Sequence, residues 1–233
     1  MTFSSLLKRS ALLLPIAGFL IFAYGSGTTA APDDGREYEI TVTNLTRGQQ
    51  FTPVLVATHR SGLTLFALGS PASSELAVLA EEGNTAPLTS VLLSDPRVRE
   101  VTTSGPLLDP GKSRTITIGT AGSFNSISLA AMLIPTNDAF FALNDVELPI
   151  GGNVLTAYSP AYDAGSERND ELCVSIPGPF FIECGGPGGG GAPVGMEEGY
   201  VHIHAGIHGI GNLNASMRDW RNPVAQIMIR RMK

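Results

Sequence analysis

Cysteine is nearly absent. Cys173 and Cys184 are the only two in 233 residues. So few exclude a disulfide-dense miniature scaffold and a four-cysteine zinc site. Aromatic residues make up 7% of the chain, with one tryptophan, Trp220. A paired-carboxylate glycosidase needs a cleft around its substrate, and this chain has few rings to line one. Lys and Arg form no cluster outside the last four residues, which argues against nucleic-acid binding. The sequence holds no G-x-S-x-G nucleophile elbow, no G-x-x-x-x-G-K-[ST] phosphate loop and no H-E-x-x-H zinc motif. The expectation is a protein that is not an enzyme.

Long apolar runs are missing too, except at the start. Lys8 and Arg9 precede an uncharged apolar run from Ala11 to Tyr24, and small residues lead to Thr28-Thr29-Ala30. This is the three-part pattern of a cleaved signal peptide over residues 1–30. The run contains Pro15 and Gly18 and is shorter than the roughly 20 residues that span a bilayer. The expected product is a secreted or periplasmic chain of residues 31–233, with no membrane insertion of the mature form. Its net charge of −6 becomes −8 once Lys8 and Arg9 leave with the leader, a balance suited to solubility and cation binding.

In an oxidising compartment, two cysteines 11 apart read as one disulfide. Pro177-Gly178-Pro179 between them can turn the chain back on itself. The alternative, a metal pair, would need a second Cys or His pair nearby.

What the chain has in quantity is strand signal. Tyr38, Ile40 and Val42 alternate with Glu39, Thr41 and Thr43, the period of a half-buried strand. Further strands are expected at 52–58, 115–118, 126–134, 139–143, 153–158, 199–205 and 224–230, separated by Gly, Pro, Asn and Asp. This is the pattern of a sandwich or barrel. Asp145 and Glu147 read as hairpin surface. Ser126 to Ile134 is apolar almost throughout and suits a strand buried on both faces. Two short helices are expected. One is capped by Ser73 or Ser74 and stopped at Gly83; the other starts near Pro87. The stretch Gly185–Gly191 reads as a flexible loop. Its G-x-G-x-x-G spacing lacks the following helix of a dinucleotide site.

Three carboxylates form the first candidate site. Asp138 follows the strand ending near Pro135. Asp163 and Glu167 flank Gly165, which lets the chain turn so that the two converge. Carboxylates brought together repel, and a hard cation relieves that repulsion. Ca²⁺ accepts irregular loop geometry and oxygen ligands. From spacing alone, a solvated acidic loop is the commoner reading. Asp170 and Glu171 read as a solvated turn beside it. The second candidate is His202, His204 and His208. On a strand the first two share a face, and three imidazoles suit copper or zinc in a periplasmic metalloprotein or hydrolase. The competing reading buries Val201 and Ile203 and leaves the histidines outside. Trp220 reads as a core or rim anchor.

The segments Met132-Leu133-Ile134-Pro135-Thr136-Asn137-Asp138-Ala139-Phe140 and Asp163-Ala164-Gly165-Ser166-Glu167 resemble the spondin N-terminal domain family. Tyr38 to Asn44 and Leu79 to Gly83 are similar as well, so the resemblance covers roughly residues 36–231. It implies an antiparallel β-sandwich related in shape to C2 domains, with calcium held by Asp138, Asp163 and Glu167. The last position is usually Asp in the animal domain, and Phe140 stands where that domain has Trp. A chain with one such domain looks like the exported bacterial kind. The implied role is a calcium-binding recognition or adhesion module whose partner is an extracellular protein or glycan.

Overall fold

The computed structural model describes residues 34–192 and 195–232; the expected leader lies outside them. In chain order the first strands are β1 (Arg36–Asn44), β2 (Gln50–Phe51) and β3 (Leu55–His59). Helices α1 (Ser74–Glu82) and α2 (Ala86–Ser94) follow. Then come β4 (Val98–Thr103), β5 (Ser113–Thr120), β6 (Ser126–Ile134), β7 (Ala139–Glu147), β8 (Val154–Ser159) and β9 (Ala161–Asp163). The chain ends through β10 (Phe180–Phe181), β11 (Gly186–Pro187), β12 (His202–Ile203), α3 (Ala215–Arg218) and β13 (Ala225–Arg231).

Two antiparallel sheets face each other. One has the order β5-β1-β13-β8; the other runs β12-β9-β7-β6-β3-β4, with β2 paired to β6. In the first sheet the alternation of β1 is preserved: Tyr38, Ile40 and Val42 are buried, while Glu39, Thr41 and Thr43 are half-buried. Ile40 lies between Ile116 of β5 and Ile229 of β13. These side chains meet Ile127, Leu129 and Phe141 of the second sheet in the main core. The protein is thus an all-β sandwich.

The second sheet is buried on its other face as well, which explains why β6 has no polar alternation. Leu76, Leu79 and Ala80 of α1 and Leu88 and Leu92 of α2 cover Leu55, Ala57, Ala130, Phe140 and Ala142. Burying a side chain such as Leu79 contributes about 1.5–3 kcal/mol. The helix signals are realised locally. The Ser73 side chain accepts from the Leu76 N–H, and Gly83 closes α1 in the left-handed region. A Cβ on Gly83 would also lie 2.5 Å from the Thr52 methyl. Pro87 sits in the first turn of α2.

Cys173 and Cys184 form a disulfide with Cα atoms 5.6 Å apart. The glycine run after it is not loosely held. The Gly189 N–H donates to the Cys173 carbonyl at 2.7 Å. A Cβ on Gly188 or Gly189 would lie within 2 Å of the Ile176 or Val174 carbonyl oxygen. These glycines are there for close backbone approach, which composition alone does not reveal. Two other expectations shift. β4 and β9 carry too little alternation to be seen in the sequence. The strand expected over 199–205 shortens to β12, with Ile203 45% exposed and His204 buried. Among the described residues no helix is long and apolar enough to cross a membrane.

Candidate cation site at the β7–β9–β12 end

Asp138 is placed by a stapled turn. After β6 ends, the Thr136 hydroxyl donates to the Leu133 carbonyl and accepts from the Ala139 N–H. That turn fixes the entry to β7, so Asp138 arrives at the sheet's end with its side chain 0% exposed. Asp163 arrives from the neighbouring strand. Ala139 pairs with Asp163, and the Ala164 N–H donates to the Asp138 carbonyl at 3.2 Å. On the far side, Asp163 pairs with His202. Residues directly opposite in an antiparallel pair share a face, so Ala139, Asp163 and His202 line up across three strands. Phe140, pointing the other way, packs on Phe66 and Tyr162 with ring centroids 5.3 and 5.5 Å away.

The two aspartates differ in their hydrogen bonding. Asp138 Oδ2 accepts from the Ser166 N–H (2.8 Å), the Ser166 hydroxyl (3.2 Å) and the Glu167 N–H (3.0 Å). Asp138 Oδ1 is buried and accepts nothing. Asp163, also 0% exposed, accepts from the Gly165 N–H at 2.7 Å through Oδ1 and from the Asn169 amide at 2.5 Å through Oδ2. A carboxylate has about four lone-pair sites, so Asp163 retains acceptor capacity on both oxygens. Gly165 makes this turn possible. Its φ is +65°, and a Cβ there would lie 2.3 Å from the Tyr200 carbonyl oxygen.

Electrostatics follow from this crowding. Burial raises the Asp138 carboxyl well above the usual range, and the Asp163 charge adds to it. Asp163 is raised as well, again by burial, with its hydrogen bonds from Asn169 and Gly165 working against the shift. Two neighbouring carboxylates out of water hold their charges only at a cost.

Glu167 has a split position. Its backbone serves Asp138, but its carboxylate turns to the glycine-rich segment and accepts from the Ala192 N–H at 3.1 Å. Its other oxygen is buried without a partner. Burial first, with the charges of Glu81 and Asp170 adding to it against the pull of Ala192, pushes this group up to about 7. The structure therefore brings Asp138 and Asp163 together and directs the Glu167 carboxylate elsewhere. Among the described residues, no three or more His, Cys, Asp or Glu side chains are gathered as a metal-holding group. The donors fit a hard cation in kind, being all oxygen and including a buried carboxylate oxygen with no other partner.

The histidines sit beside this pair in a pocket of about 200 Å³ whose wall includes Asp163, Glu198, His202, His204 and His208. His202 and His204 approach Asp163 oxygens at 3.8 and 3.9 Å. Both nitrogens of His204 are engaged. Nδ1 accepts from the Gly206 N–H at 2.9 Å, and Nε2 meets Asn169 Oδ1 at 3.1 Å. Burial pushes His204 down to about 3, so it is neutral, with the nearby His202 and His208 adding to the shift. Its ring packs against Trp220 at 5.1 Å, the anchor role expected of that residue. His208 is exposed.

The neighbouring acids depart from the solvated turn expected of them. Glu171 is buried, not solvated: its carboxylate accepts from the N–H groups of His208, Gly209 and Ile210. Asp170 accepts from the Asn137 amide, the Leu172 N–H and the Ser175 hydroxyl. Both acids satisfy loop backbone or side-chain donors, which acidic spacing does not disclose. Asp145 is not hairpin surface either. It lies within β7 at positive φ, beside a register shift, and accepts from the Gly62 N–H.

A search of curated proteins finds no match. A family model described as Spondin_N matches residues 40–166, slightly more than half the chain. The matched span includes both aspartates and stops one residue before Glu167, while the sandwich continues to β13.

Proposed function

The chain belongs to the spondin N-terminal domain family, and from that premise we propose that its mature form is an exported, calcium-binding recognition module. The domain occupies residues 31–233 after loss of the leader. Asp138 and Asp163 hold the ion, and the Glu167 carboxylate, bonded to Ala192 in this structure, would have to turn toward it to supply the third. Calcium held there would offset the repulsion between the buried carboxylates, and its remaining ligands would come from oxygen donors of the loops and solvent. It thereby stiffens the loops at this end of the sandwich, so that they meet an extracellular protein or glycan with less ordering cost. The role is binding, not catalysis.

One observation carries this reading: Asp138 Oδ1 is a buried carboxylate oxygen with no partner, beside a second buried carboxylate. An unpaired buried anion is costly, and a cation removes that cost. The test is thermal unfolding with and without calcium after chelator treatment. At a calcium concentration a hundred times Kd the gain is about 2.7 kcal/mol, or about 5–10 °C for a chain of this size. An unchanged melting temperature across millimolar calcium contradicts the reading.

A further inference from the structure

Asp163 is held from behind by a chain of hydrogen bonds that begins in the backbone. The Gly206 N–H can only donate, so His204 Nδ1 must accept. The ring proton then sits on Nε2 and is donated to Asn169 Oδ1. That bond fixes the orientation of the Asn169 amide, whose Nδ2 is left facing Asp163 Oδ2 at 2.5 Å. His204 is clamped in turn, 5% exposed and packed on Trp220. Gly206 is itself constrained: its φ is +97°, and a Cβ there would lie 2.4 Å from Asp219 Oδ1.

We propose that Asn169 and His204 are positioning residues for Asp163, a relay that aims its carboxylate at the cation. The inference rests on the calcium reading above. It also gives the histidine-rich segment a role other than ligation, since His204 spends both nitrogens on the relay. Ligands supported in this way bind more tightly because the outer partners hold their orientation, and losing one such partner commonly weakens a metal site by about 10–100-fold. Asn169 is four residues beyond Gly165 and outside the short motif around Asp163. Only the folded loop brings it back.

The experiment is a double-mutant cycle read by calorimetric calcium titration. Asn169→Leu removes the donor to Asp163, and His204→Phe keeps the packing on Trp220 but frees the Asn169 amide. Each single variant is expected to raise Kd about tenfold or more. The double variant should be no worse than Asn169→Leu alone, because both act through one bond. Multiplying penalties, or calcium affinity unchanged in Asn169→Leu, overturn the relay. A second measurement needs neither calcium nor a variant that folds. The ¹⁵N shifts of the His204 ring at neutral pH should report the Nε2–H tautomer, and an Nδ1–H tautomer overturns the proposal. A wild-type protein that binds no calcium refutes the cation reading instead, and the tautomer then decides the hydrogen-bond chain on its own.

Discussion

The backbone N–H of Glu167 donates to Asp138 Oδ2 at 3.0 Å, while the Glu167 carboxylate bonds to Ala192 on the other side of the turn. One residue thus supports the aspartate with its main chain and tethers the glycine-rich segment with its side chain. Asp138 keeps one oxygen free for a cation, whereas Glu167 must give up a hydrogen bond or use its second oxygen. The carboxylates are therefore unequal. Glu167→Gln is expected to weaken calcium binding less than Asp138→Asn does, as compared by calorimetry on the two variants. Equal losses would place the Glu167 carboxylate in the site on the same footing.

Asp163→Asn separates binding from packing. The change removes a like charge beside Asp138 and leaves the side-chain shape nearly intact. In chelator the relief of repulsion and the lost acceptor toward Asn169 or Gly165 oppose each other, so its melting temperature should fall far less there than in calcium, where most of the calcium-dependent gain is lost as well. An equal drop in both conditions would mean that the hydrogen bonds of Asp163, not its charge, are what the fold requires.

Proton linkage has a defined sign here. Glu167 rises from an ordinary 4.5 to about 7, and Asp138 and Asp163 also stand above the usual range. Each binds its proton more tightly in the folded chain. Their contribution to cation-free stability is complete below the unfolded values and is lost as pH rises through the folded ones. Melting in chelator should accordingly fall between about pH 5 and about pH 8. Calcium requires the charged forms, so its affinity should rise over the same window and the fall should shrink in its presence.

Gly165→Ala tests the turn that joins the two motifs. Positive φ costs an alanine about 1–2 kcal/mol, and the added Cβ would meet the Tyr200 backbone. Urea unfolding should show a loss of about 2 kcal/mol or more, together with weaker calcium binding. A neutral outcome would mean that the Tyr200 segment moves aside freely.

The parts of this protein visible in its sequence are those specified by local chemistry. The alternation of β1, the wholly apolar β6, the Ser73 cap and the Gly83 stop are each written in a few adjacent residues. The grouping of Asp138 with Asp163 is only faintly written in the acidic spacing and is sharpened by the resemblance of their two motifs to a known family, because nothing in the spacing says that β9 lies beside β7. What stayed hidden depends on distant backbone. Glu171 looks like one more acid in a turn until residues 208–210 present three N–H groups to it. The glycines at 188 and 189 look like slack until the disulfide segment is laid against them. His204 reads as one of three equivalent imidazoles, and only burial and Asn169 set it apart.

Calorimetric titration of calcium into chelator-treated protein near neutral pH tests the central claim most directly. A single saturable site is expected, one calcium per chain, and Asp138→Asn should abolish it. Absence of binding in the unmodified protein, or binding that survives Asp138→Asn unchanged, would contradict the claim.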